Sequence, residues 1–229
     1  MPKRVDHDIR RREIADALLR VAATRGLHAA GFREVAAEAG ISVRLVQYYF
    51  ETKEQLLLFG LRRVGEQFGE RVARLAATGP GPETEAEALT SEVLTSAVER
   101  DRIERVLVAT LPMDEESRPL YLVYNQYFAL ALTDPGLAAQ PYTGDAAALE
   151  AWLLDQLRAC QARGLLPSTA VLADEATTLL ALTVGLGNAV LGGTRSPDDA
   201  RRVLTRHLDR LLGPSATAGQ RPQSRQPPS

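Results

Sequence analysis

Residues Phe32 to Phe50 read FREVAAEAGISVRLVQYYF, and few folds accept that order of residue types. Val35, Ala39, Ile41 and Val46 are apolar where two short helices would pack, and Ala36 is small where they would approach most closely. Gly40 falls where a first helix must end, and a positive φ is cheap there only for glycine. Ser42 can cap the next helix by accepting a backbone N–H bond. The spacing predicts a helix over 32–39, a turn at 40–42 and a second helix over 43–49. That is a helix-turn-helix, whose second helix enters the DNA major groove.

A helix turns about 100° per residue, so the outward face can be read by rotation. With Val46 inward, Tyr49, Phe50 and Ser42 fall on its side, and Arg44, Gln47 and Tyr48 fall opposite. Arg44 suits guanine O6 and N7, and Gln47 suits adenine N6 and N7. Tyr48 suits a phosphate. Val43 and Leu45 flank that face, within reach of thymine methyls. An ordinary solvated helix in a bundle would show the same face, so the neighbours matter.

Thr52-Lys53-Glu54-Gln55 follows at once. Thr52 with Gln55 makes a capping box for a third motif helix. Lys53 then sits in a first turn rich in free N–H groups, a suitable phosphate clamp. A merely capped helix start is the alternative. Upstream, residues 9–25 carry Ile14, Ala17, Leu18, Val21 and Ala22 on one helical face, closed by Gly26. Arg10, Arg11 and Arg12, with Lys3 and Arg4, either reach phosphates or a minor groove from an N-terminal arm, or form a solvated helix start.

The string GFREVAAEAGISVRLVQYYFETKEQLL, residues 31–57, resembles the tetracycline-repressor (TetR) family of bacterial transcription regulators. Helix, turn, second helix, Tyr48, Phe50 and Thr52-Lys53-Glu54 agree in order and spacing. The likeness covers about fifty N-terminal residues. Beyond them it rests on length, helical layout and one stretch near the C-terminus. Many members carry threonine just before the first motif helix, where this chain has Ala30 and Gly31, so Arg33 stands in as the phosphate contact. Members often have a small residue at Arg44 and a tyrosine at Gln47, which implies a base preference of this chain's own. The DNA contacts implied are Arg33, Ser42, Val43, Arg44, Leu45, Gln47, Tyr48, Tyr49 and Lys53.

Charge agrees, weakly. The whole chain carries −2, so it is not basic overall. Of its 27 Lys and Arg, 10 lie in residues 1–55, with 8 of the 29 Asp and Glu. That segment carries +2 and the remainder −4. The hydrophobic share of 45% suits a globular chain with ample core.

Past the motif the chain reads as all-α. Helices are expected over residues 53–77, 83–99, 102–111, 119–132, 145–163, 170–191 and 197–212. Thr78-Gly79-Pro80-Gly81-Pro82 is a break, and Pro197 with Ser196 opens the last helix. The domains expected are 1–55, helix-turn-helix and DNA-binding; 56–212, helical, for effector binding and dimerisation; and 213–229, a disordered tail rich in Pro, Ser and Gln.

Two further sites follow. Tyr121, Tyr124 and Phe128 fall on one helix face, Gln126 adds a polar group, and Met113 and Trp152 lie in neighbouring segments. Aromatic walls with a few polar handles describe a small-molecule pocket, and equally an ordinary core. The resemblance implies an inducer site in this region, and the scarcity of charge there favours an apolar or amphipathic molecule. Residues 170–191 are apolar nearly all round, with Leu182, Leu186 and Val190, while Leu204 and Leu208 stripe the last helix. The segment GLGNAVLGGTRSPDDARRVLTRHLDRLL is similar to the family's C-terminal end, where two helices from each subunit form a four-helix dimer interface. The alternative is an internal core helix.

Other classes find no support. The single cysteine, Cys160, forms no intramolecular disulfide. His7, His28 and His207 lack motif neighbours, and no HExxH, CxxC pair, Walker loop or GxSxG occurs. No enzyme, metal or cofactor is implied. No signal peptide or spanning segment is read, so a cytoplasmic protein is expected. The expected function is a homodimeric repressor released from a palindromic operator by a small effector. A ligand-independent or activating regulator, or a helical protein-interaction module, are the alternatives.

Overall fold

The computed structural model describes residues 2–76, 92–138 and 142–213. Among them every regular element is helical. Helix α1 spans Pro2–Arg25, followed by a 3-10 turn at Leu27–Ala29. Next come α2, Phe32–Ala39; α3, Val43–Tyr49; α4, Lys53–Ala76; and α5, Glu92–Ala109. Then follow α6, Ser117–Ala131; the short α7, Pro135–Ala138; α8, Tyr142–Ala162; α9, Leu172–Leu191; and α10, Pro197–Leu212.

The expected helices are present, with three differences. Helix α1 begins seven residues before Ile9. The helices expected over 83–99 and 102–111 are one from Glu92 onward, because the polar Arg100-Asp101 pair does not break it. Arg100 bonds Asp101 and Glu104 on the same helix and Asp209 on α10, so the charges there are paired. Asp134-Pro135-Gly136 starts α7: Asp134 Oδ1 accepts from the N–H of Gly136 at 2.9 Å and of Leu137 at 3.2 Å. Residues 83–91, the break at 78–82 and the tail beyond 213 lie outside the described residues.

The core has three parts. Ile14, Leu18, Val21, Val35, Val46 and Phe50 join α1–α3 to the start of α4. Ile103, Leu107, Leu153, Leu157, Leu179 and Leu204 join α5, α8, α9 and α10. Between them a third cluster holds Leu19, Ala22 and Leu27 from the N-terminal part, Leu61 and Val64 from α4, and Val123 and Tyr127 from α6. The result is an N-terminal helix-turn-helix domain joined to a helical C-terminal domain, and α6 touches both.

A polar staple fixes the far end of α4. Arg71, nearly buried, donates from Nε to the Ala109 carbonyl at 3.1 Å and from a terminal nitrogen to Asp114 Oδ2 at 2.9 Å. Asp114 Oδ1 in turn accepts from the Ser117 N–H at 2.7 Å, capping α6. Partial burial opposes the Asp114 charge, but the Ser117 and Arg71 hydrogen bonds outweigh it and hold the carboxyl at about 2, below its usual 3.8. A depressed carboxyl stabilises the fold above its unfolded pKa and loses that contribution as pH falls through the folded one. Denaturant melts between pH 4 and pH 2 should therefore lose stability more steeply in the native chain than in Asp114→Asn. Parallel pH profiles would show that the staple is not ionic.

Candidate nucleic-acid interface

The motif is built by local rules. Gly40 adopts φ 66°, ψ 29°, the left-handed conformation that ends α2. The Ile41 N–H then reaches back to the Ala36 carbonyl at 3.0 Å. Ser42 Oγ accepts from the Leu45 N–H at 3.2 Å and caps α3. Val46 and Phe50 are fully buried and lock α3 onto α1 and α4.

That lock fixes what α3 shows to solvent. Arg44 and Gln47 are exposed, Tyr48 is 71% exposed and Val43 lies at its edge. Leu45 is half-buried. Tyr49 is also half-buried: its ring meets His7 at 4.8 Å between centroids and Tyr48 edge-on at 5.2 Å. Arg33 is exposed on α2. Thr52 Oγ1 accepts from the Gln55 N–H at 3.1 Å, while Gln55 Oε1 accepts from Glu51, one residue before the usual partner in a capping box. Exposed Lys53 rests with Nζ 3.5 Å from the His28 carbonyl.

The N-terminal arginines divide. Arg10 pairs with Glu13 at 2.6 Å and Arg12 with Glu66 at 3.7 Å, both in solvent, where such pairs are weak and exchangeable. Arg11 does not serve the arm: its guanidinium lies over the rings of Phe50 and Phe59, 4.8 and 4.5 Å from their centroids. Nothing in the spacing of three consecutive arginines signals that difference; it comes from the direction of each side chain around α1.

The six residues expected around an effector take different partners in the fold. Tyr121 is buried against α9, its hydroxyl donating to the Val184 carbonyl at 3.2 Å and its ring resting on Gly187. Burial pushes its phenol up to about 12. Tyr124 packs edge-on to Phe68 of α4 at 5.4 Å. Gln126 bonds the end of α1, and Phe128 is 47% exposed. Met113 and Trp152 lie half-buried on the flank of the C-terminal core. A groove of about 310 Å³ opens instead between α1, α4 and the start of α6, over Leu19, Ala23, Leu120 and Val123.

The expected dimer residues also sort by burial. Leu186 and Val190 are 5% exposed, and Leu204 and Leu208 are 0% exposed within one chain. They pack into the protomer's own core. Leu182 is half-buried. What α9 leaves open is a face bearing Ala181, Val184, Gly185 and Asn188.

A helix-turn-helix with a bare recognition face, carried on a helical second domain, defines a transcriptional regulator. A model of "Bacterial regulatory proteins, tetR family" matches residues 14–58, and one of "BetI-type transcriptional repressor, C-terminal" matches residues 99–213. The chain belongs to the TetR family of transcriptional regulators. It is 27% identical over 213 residues to the transcriptional regulator PksA of Bacillus subtilis (strain 168), covering 92% of this chain and 94% of that one. Its fold is similar to a transcriptional regulator from Saccharomonospora viridis solved in complex with choline (25% identity, TM-score 0.73, 88% and 96% of the chains). It is also similar to the multidrug binding protein EbrR complexed with ethidium (28% identity, TM-score 0.56, 86% and 97%). Among the described residues no helix is long and apolar enough to cross a membrane.

Proposed function

We propose that this regulator is a homodimeric repressor that binds a two-fold-symmetric DNA operator through α3 and leaves it on binding a small amphipathic molecule. The observation that carries the reading is the outward face of α3, where Arg44, Gln47 and Tyr48 stand exposed on a helix locked from behind by Val46 and Phe50. Arg33 and Lys53 flank it as phosphate contacts, with Ser42, Val43, Leu45 and Tyr49 at its margin. Residues 1–55 form the DNA-binding domain, and residues 56–212 bind the effector and form the dimer. The exposed face of α9 suits the dimer contact, because Gly185 and Ala181 let helices approach closely. Two such subunits place two recognition helices about one DNA turn apart.

Choline and ethidium, held by the two structural relatives, are both organic cations with apolar bodies. Aromatic faces attract such cations, and the Tyr124–Phe68 pair supplies them here, so the proposed effector is of this class. It acts by favouring a spacing of the two recognition helices that the operator does not.

Selection from random duplex DNA at physiological salt tests the reading. An enriched palindrome supports it; no enrichment from a folded dimer speaks against it. On the selected site, Arg44→Ala should cost about 1–3 kcal/mol and relax one base position. Binding unchanged at every position would remove Arg44 from the interface.

A further inference from the structure

The turn at Leu27–Ala29 lies in the DNA-binding domain and is closed by its own backbone bonds, from the Ala29 N–H to the Gly26 carbonyl and from the Ala30 N–H to the Leu27 carbonyl, each 3.1 Å, yet it is also held from the other domain. Gln126 of α6 reaches across with both ends of its carboxamide. Oε1 accepts from the Leu27 N–H at 2.5 Å, and Nε2 donates to the Ala22 carbonyl at 3.1 Å. These bonds span 99 and 104 residues of chain. They close the point where the chain leaves α1 through Gly26, at φ 88°. Leu27 itself is buried in the interdomain cluster. The next residue, His28, offers its carbonyl to Lys53 Nζ. A continuous path of contacts therefore runs from α6 through this turn to the lysine at the start of α4.

We propose that Gln126 is a positioning residue for DNA binding: by fixing the Leu27–Ala29 turn it sets where the Lys53 amine stands to meet a phosphate. This rests on Lys53 acting as a phosphate contact. The residue type follows from the job. An N–H and a C=O side by side require one acceptor and one donor on the same short group, and a carboxamide supplies both. Glutamate keeps the acceptor and loses the donor; methionine has similar reach and offers neither a strong donor nor a strong acceptor. Hydrogen bonds at these lengths tolerate little displacement, so a shift of α6 against α1 releases the turn. The C-terminal domain thereby reaches the DNA surface without passing along α4.

Operator binding against salt, for the full-length chain and four variants, decides the matter. A phosphate contact adds about 0.9 to the slope of log affinity against log salt, so the two Lys53 contacts of a dimer account for about 1.8, worth roughly sixtyfold in affinity at 0.1 M. Gln126→Met is expected to lose roughly that slope and that affinity. Lys53→Ala should lose the same, and the double variant Gln126→Met/Lys53→Ala no more than Lys53→Ala alone. Gln126→Glu, which loses the donor and sets a carboxylate oxygen against the Ala22 carbonyl, should lose slope as Gln126→Met does. Where Gln126→Met does not fold, Gln126→Asn, too short for both bonds, replaces it with the same expectation. An unchanged slope in Gln126→Met, or losses that multiply in the double variant, overturns the proposal while leaving operator binding intact. A wild-type chain that selects no operator fails the DNA-binding reading first, and the proposal with it.

Discussion

Phe50→Ala is expected to destabilise the helix-turn-helix domain by about 3–5 kcal/mol and to abolish operator binding. Phe50 is fully buried at the point where α3 ends. Its ring meets Phe59 edge-on at 5.5 Å, and Arg11 lies over both rings. Truncation opens a cavity, and neighbours held by α1, α3 and α4 together can collapse into it only in part. It also strips half of the surface on which Arg11 rests, and Arg11 Nε has no hydrogen-bond partner to fall back on. Phe50→Leu keeps most of the volume and should cost markedly less. Urea melts of the two variants, read beside operator binding, check this. A cost under 1 kcal/mol for the alanine variant would mean that α3 is held by Val46 alone.

The features that lie close together in the chain were legible in its residues. Gly40, Ser42, Thr52 and Gln55 act on neighbours within five positions, so residue type and spacing suffice to place the turn, both caps and the outward face of α3. Burial was legible as a pattern, but not the partner behind it. The stripe of Leu204 and Leu208 announces a covered face, and only the packed fold shows that the protomer's own α5 and α9 cover it. The same limit applies to α6. Tyr121, Tyr124 and Phe128 share a helical face on paper, yet α9 takes the first, α4 the second and solvent the third. Gln126 carried no local sign at all, because its partners stand about a hundred residues away.

Replacing Arg100 with methionine should cost about 3 kcal/mol, and the reason lies in what the arginine leaves behind. Its side chain is 1% exposed and touches Asp101, Glu104 and Asp209, and it also donates to the Thr205 carbonyl at 3.2 Å. Burial works against the guanidinium charge, and Glu104 and Asp101 more than restore it, so the group is held above its ordinary value. Removing one member of a buried ion cluster costs about 3–5 kcal/mol, because the remaining charges lose their counter-ion. The three acids keep side-chain exposures of 18–39% and so some water, which places the loss at the lower end. The loss should shrink when Glu104→Gln and Asp209→Asn are added to Arg100→Met, because only Asp101 is then left without its counter-ion. Melts of the single and triple variants distinguish this from simple loss of packing, which the added substitutions would not repair. In the packed fold this cluster ties α10 to α5 beside the apolar contacts of Ile103 and Leu107 with Leu204.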